Sequence, residues 1–162
     1  MAIHPDVRAD FDRLKNQIKA VKNLPETASG DATSMLYEYL CVAITGRLEQ
    51  NLKTILITYS DQQSKKTMSG AVSKLCQSFQ NPDRGKIIEL VSYFDKDFSK
   101  HLETEWESEG SVGHTISDMV GIRKKIAHQT TNARTATRTK VENFYSTYVA
   151  AVTAISNHFL KH

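Results

Sequence analysis

ATSMLYEYLCVAITGRLEQNLKTILITY, residues 32–59, is the stretch from which the rest of the chain can be read. Its large apolar side chains Leu36, Leu40, Ile44, Leu48, Leu52, Ile55 and Tyr59 recur every three or four residues, the spacing that places side chains on one face of an α-helix. The stripe is continuous, so the stretch predicts one long helix, from about Ala32 to Tyr59, with a buried face. Arg47 and Asn51 fall on the apolar side of that helix. A polar group on a buried face must find a partner, either inside the core or in a cleft. We assign Arg47 to a cleft and Asn51 to a satisfied core position.

The same periodicity extends to both sides. Val7, Phe11, Leu14, Ile18 and Val21 mark a first helix over Pro5 to Val21, with Pro5 suited to its first turn. Leu24 to Asp31 reads as a loop. A short third helix spans about Thr67 to Phe79, and Asn81-Pro82-Asp83 breaks it. A fourth begins near Pro82 and carries Ile87, Ile88, Leu90, Val91, Phe94, Phe98 and Leu102 to about Trp106. Trp106 and Tyr93 are able to stack bases but read rather as core or rim aromatics. After a polar loop with two glycines, Ser111 is placed to cap a fifth helix ending near His128. Gln129 to Thr135 is a polar loop, and Val141, Phe144, Tyr148, Val152, Ile155 and Phe159 define a last helix. Only 7 glycines and 3 prolines interrupt 162 residues, which favours long helices over a many-turned sheet. The expectation is an all-α bundle of about five to six helices forming one domain over residues 1–162.

Several function classes are set aside. No apolar run approaches the ~20 residues of a membrane span. Met1 to Leu14 is charged throughout and lacks the apolar centre of a signal peptide. The 2 cysteines, Cys41 and Cys76, form no CxxC pair and read as small core residues, so a cytoplasmic location and no membrane association are expected. His101/Glu105 and His158/His162 have the spacing to share a metal but lack third and fourth ligands; no metal or other cofactor is expected. There is no glycine-rich phosphate loop and no GxSxG.

The net charge is only +3, but it is unevenly spread. Met119 to Val141 contains no acidic residue, while Arg123, Lys124, Lys125, Arg134, Arg138 and Lys140 are basic. Upstream, Glu103, Glu105, Glu107 and Glu109 form an acidic run. Either these are two solvated surfaces, or the basic one is a site for a polyanion. On a helical wheel Ile116, Met119, Val120, Ile126 and Ala127 form an apolar arc, and Arg123 falls near its middle. Burying an unpaired guanidinium costs several kcal/mol or more, so Arg123 must meet a carboxylate, carbonyls, a cleft or a ligand. His128 lies roughly 140° further round, at the helix end. Two ordinary roles are open to this pair, an internal salt bridge for Arg123 and a helix-dipole contact for His128. The alternative is chemical. Histidine moves protons near neutral pH, arginine matches phosphate oxygens, and the two converging on one phosphate suffice for transesterification by a ribose 2′-OH. Arg134, Arg138 and Lys140 either hold RNA backbone beyond the scissile bond or form a solvated helix start.

Gly121-Ile122-Arg123-Lys124-Lys125-Ile126-Ala127-His128-Gln129 resembles the Arg-x4-6-His signature of HEPN proteins, and its Ile-Ala-His close resembles the RiboL-PSP-HEPN subgroup. Gly46-Arg47-Leu48-Glu49-Gln50 is similar to the helix preceding that signature, and the helix order fits over nearly the whole chain. The resemblance implies a helical bundle that homodimerises, with Arg and His of two protomers forming a metal-independent ribonuclease site, often in a toxin–antitoxin pair or a phage-defence system with a partner protein. By that pattern Arg123 and His128 are the catalytic pair, and Arg47 and Glu49 support the site; on charge alone, Lys124 is added to the supporting group and Lys125, Arg134, Arg138 and Lys140 are taken as RNA contacts. The chain departs from the pattern in two places. Lys124 stands where the family commonly has Asn, Asp or His, and a charged lysine accepts no hydrogen bond. Thr130 stands where some members carry a modifiable tyrosine.

Overall fold

The fold is described from a computed structural model over residues 3–24, 30–63, 66–128 and 136–160. Seven α-helices follow one another: α1 (Pro5–Lys22), α2 (Gly30–Gln63), α3 (Lys66–Ser78), α4 (Arg84–Ser92), α5 (Lys96–Glu105), α6 (Val112–Ala127) and α7 (Arg138–Phe159). No strand occurs among the described residues. The all-helical class expected from the periodicity is therefore found, with seven helices in place of five to six.

The extra helix comes from the stretch read as one fourth helix. Asp95 adopts extended backbone (φ −152°), and its side chain accepts hydrogen bonds from the Asp97 and Phe98 N–H groups. That is an N-cap, and it starts a new helix without help from proline or glycine. The apolar ladder from Ile87 to Leu102 runs through the break without a change of period, so the pattern conceals it. At the other end of the stretch the N-cap is Asp83, whose carboxylate accepts from the Lys86 N–H at 3.0 Å; Pro82 lies just outside the helix. The loop expected at 24–31 is shorter, since Gly30 and Asp31 already belong to α2. Residues 25–29 and the expected loop at 129–135 lie outside the described residues.

Helix α2 is the axis of the molecule, packing against α1, α3, α6 and most extensively α7. Its Leu40, Ile44, Leu48, Leu52 and Ile55 and α7's Phe144, Tyr148, Val152 and Ile155 are all at most 2 % exposed and belong to one hydrophobic cluster. Cys41 and Cys76 are buried free thiols, and burial pushes the Cys41 thiol up to about 12. Two polar contacts register this core. Asn51 donates to the Tyr148 hydroxyl at 2.6 Å, so Asn51 is the satisfied core group expected of it. Tyr145 donates its hydroxyl to the Phe11 carbonyl at 3.1 Å, tying α7 to α1.

Helix α6 is fixed at its start. Ser111 accepts from the His114 N–H at 3.3 Å and donates its own hydroxyl to the Trp106 carbonyl at 2.8 Å, the cap expected from the sequence. Two residues on, Gly113 packs so closely on Trp106 that a Cβ there would lie 2.5 Å from the Trp106 Cβ and 2.9 Å from its carbonyl oxygen. Trp106 itself is buried. At the far end of the bundle His158 of α7 contacts Asp95 Oδ2 through Nε2 at 2.9 Å and stacks on Phe98 with 3.7 Å between ring centroids. The C-terminal turn of α7 is thereby attached to the cap of α5.

Two outcomes follow. Gly113→Ala should cost about 1–3 kcal/mol through overpacking, measured by chemical denaturation; an unchanged midpoint would mean that α6 does not press on Trp106. The Phe98 N–H, and after it His158, hold the Asp95 carboxyl below its usual 3.8. A depressed carboxylate contributes stability that is complete above the unfolded value and lost as pH falls through the folded one. Asp95→Asn should therefore be less stable than the parent near neutrality. The gap should close once pH drops well below 3.8; a gap independent of pH would refute the role given to the charge.

Candidate functional site

The Gly46-Arg47-Leu48-Glu49-Gln50 turn of α2 is split by the helix. Leu48 enters the core with 0 % exposure, which turns Arg47 and Glu49 to either side of it. Glu49 is a carboxylate only 8 % exposed. It accepts hydrogen bonds from Lys53 Nζ at 2.9 Å, from the Asn81 N–H at 3.2 Å and, more loosely, from Arg123 Nη1 at 3.5 Å. The three donors come from α2 itself, from the α3–α4 connection and from α6. Asn81 reaches Glu49 in a left-handed conformation (φ 52°), which asparagine tolerates better than most residues.

Arg123 thus meets both a carboxylate and a cleft. The wheel puts it amid Ile116, Met119 and Val120, which are buried. Further along, α6 outruns the core: Ile126 is only partly buried, and Ala127 and His128 are exposed. Arg123 stands at that transition with 30 % of its side chain exposed. On α2, Arg47 Nη1 lies 3.3 Å from Asp10 Oδ1 and 3.4 Å from Oδ2, and Arg13 approaches the same carboxylate at 3.9 Å. Four cationic side chains (Arg13, Arg47, Lys53 and Arg123) therefore surround two largely buried carboxylates, and the cluster keeps a positive excess.

Arg47, Glu49 and Arg123 line one groove with Tyr39, Gly46 and Gln50, of about 370 Å³. The carboxylates are the inner layer, with side chains 12 % (Asp10) and 10 % (Glu49) exposed, and the guanidiniums are the outer one, 39 % (Arg47) and 30 % (Arg123) exposed. An anion arriving from solvent meets guanidinium N–H groups that are already oriented, the arrangement that lets arginine bind phosphate with little loss of side-chain freedom.

The other residues expected at the site are elsewhere. His128 is the C-cap of α6, its backbone N–H donating to the Lys124 carbonyl at 3.0 Å; its side chain is exposed and does not line the groove. Lys124 and Lys125 are exposed on the last turn of the same helix, where cations suit the helix dipole. Arg138 opens α7 and pairs with Glu142 at 3.2 Å, and Glu142 is also 3.5 Å from Lys22. Lys140 is exposed on that first turn, and Arg134 lies outside the described residues. The basic segment is therefore not one patch: Arg123 belongs to the groove and the lysines to the helix end. Among the described residues no cluster of three or more His, Cys, Asp or Glu side chains suits a metal ion; His101 pairs with Glu105 at 3.6 Å and His158 with Asp95.

Asp10 and Asn81, which hold Arg47 and Glu49, and Tyr39, which lines the groove, do not stand out as site residues in the sequence. Asp10 had a visible signal, a carboxylate between Val7, Phe11 and Leu14 on the buried face of α1. Asn81 had only its place in a turn, and Tyr39 had none.

Removing the shared carboxylate should be expensive. Glu49→Ala leaves the Asn81 N–H, Lys53 and Arg123 without their acceptor, and we expect a loss of about 2–3 kcal/mol in denaturant unfolding, discounted because Arg123 is partly solvated. Glu49→Gln should lose less. A neutral effect of the alanine variant would remove Glu49 from the centre of this arrangement.

Compared with protein-family models, with curated proteins and with solved structures, the chain matches none, so the functional reading rests on the chemistry of this groove and of the helix end beside it.

Proposed function

We propose that this chain is a metal-independent endoribonuclease of HEPN type, working as a homodimer in a toxin–antitoxin or phage-defence setting. The observation that carries the proposal is the placement of Arg123: a guanidinium from the middle of an apolar helical arc, anchored on buried Glu49 and opening onto a groove shared with Arg47. A helix that needed only packing would carry a leucine there.

The reaction needs few groups. A histidine takes the proton from a ribose 2′-OH; the alkoxide attacks the adjacent phosphorus; the P–O5′ bond breaks as an imidazolium gives the 5′-oxygen its proton, leaving a 2′,3′-cyclic phosphate. Arginine N–H groups neutralise the charge that grows on the phosphorane oxygens. RNA supplies the nucleophile, so no metal is required for its activation. His128, exposed at the end of α6 and outside its own groove, suits a composite site in which each groove receives the partner's His128. Lys124 and Lys125 on the same turn would hold flanking phosphates, as would Arg138, Lys140 and Arg134.

A second reading has its own observation. His128 does not line the groove and Lys124 replaces a hydrogen-bond acceptor, both of which favour a module that binds RNA or a protein without cutting. Cleavage of total RNA in EDTA by the parent and by His128→Ala separates the two. The nuclease reading expects cyclic phosphate ends from the parent and a loss of about 10²–10⁴-fold in His128→Ala. Intact RNA with both proteins, each verified as a folded dimer, would move the assignment to the binding module.

A further inference from the structure

The groove does not end at the two arginines. Along α2, Met35 and Tyr39 precede it on the same face and are 68 % and 58 % exposed, the two most exposed large apolar side chains of that helix. Tyr39 lines the groove; Gly46 follows two turns later, and Arg47 and Gln50 come next. From Tyr39 to Arg47 is about 12 Å along the helix axis, a stretch that a single phosphate does not fill.

Gly46 is informative because nothing packs on it. A Cβ built there meets no atom within 4 Å. A glycine inside a helix lowers its stability relative to alanine, and here no tight contact explains it. Its consequence is an open floor between an aromatic ring and a pair of guanidiniums.

We propose that this face of α2 is a binding subsite for unpaired nucleotides, in which a nucleobase stacks on Tyr39 while the adjoining phosphate is held at Arg47 and Arg123. The inference rests on reading the groove as an RNA site, and it adds what kind of RNA fits. A tyrosine ring receives any base by its π-face, but only a base that has left a duplex stack. The cationic end tracks the backbone, and the open floor at Gly46 leaves room for the sugar. A second copy of the chain is the competing occupant of the exposed Met35–Tyr39 surface. An apolar protein face laid over it would also desolvate the outer sides of Arg47 and Arg123, which a phosphate instead compensates.

The test is binding of a short fluorescent 2′-O-methyl oligonucleotide, which lacks the nucleophile and so separates binding from cleavage. The single strand should bind the parent, and Tyr39→Ala should weaken it roughly 5- to 150-fold, the worth of one base stack. Tyr39→Phe should retain affinity. Annealed to its complement, the oligonucleotide should be insensitive to Tyr39→Ala. Gly46→Leu should fill the floor and abolish binding while raising the melting temperature, an opposite pair of changes that a purely structural glycine would not produce. These results support the subsite even if ordinary RNA is never cut. Binding lost in Arg123→Gln but equal in Tyr39→Ala and the parent would overturn the subsite and leave the RNA groove standing. Absence of binding by the parent would overturn both. A shift from dimer to monomer in Tyr39→Ala, seen by sedimentation, would overturn the subsite and assign the surface to a second copy.

Discussion

One carboxylate joins three parts of the chain that are remote in sequence. Glu49 of α2 accepts from Lys53 one turn on, from the backbone of Asn81 after α3, and from Arg123 of α6, separated from it by 74 positions. Each donor offsets part of the cost of keeping a carboxylate only 8 % exposed; without them the charge would have no reason to remain buried. The same contacts set the groove. They hold α6 against α2 where α6 leaves the core, and they tie the Arg123 guanidinium to the wall of the groove that it lines.

The arrangement on α1 has the same logic. Asp10 is nearly buried and holds Arg47 as Glu49 holds Arg123, so two arginines from different helices are each backed by an acidic group. With the arginine of each pair partly solvated, the gain from either ion pair alone is modest. Their effect here is on geometry: they restrict two long side chains to one side of a groove before any ligand arrives. The hydrophobic α2–α7 core supplies the rigidity behind them, and the Asn51–Tyr148 hydrogen bond fixes how those two helices are registered.

The arrangement of basic residues refines what charge along a sequence means. Arg123, Lys124 and Lys125 are adjacent, yet helical geometry turns Arg123 toward Glu49 and leaves the lysines on the exposed last turn. Arg138, half-exposed, pairs with Glu142. A basic run is therefore sorted by the helix into a group positioned in the groove and exposed neighbours outside it, and His128, at the helix end, is carried out of its own groove by the same rotation.

The helical class, the Ser111 cap, the demand of Arg123 for a partner and most of the buried faces of α1, α2, α6 and α7 were determined by the sequence alone, because each is written in local periodicity or in the chemistry of one side chain; Leu36 and Ala127, which the same periodicity put on the apolar stripes of α2 and α6, are exposed. The break at Asp95 was concealed because an N-cap interrupts the backbone without interrupting the apolar period. Only the tertiary structure decided that Glu49 is the partner of Arg123, that Asp10 serves Arg47, that Gly113 is required by the Trp106 backbone, and that Tyr39 and Gly46 border the groove. Periodicity records that a face is buried. It carries no information on which other face it meets, and contacts between positions so far apart exist only once the packing of whole helices has brought them together.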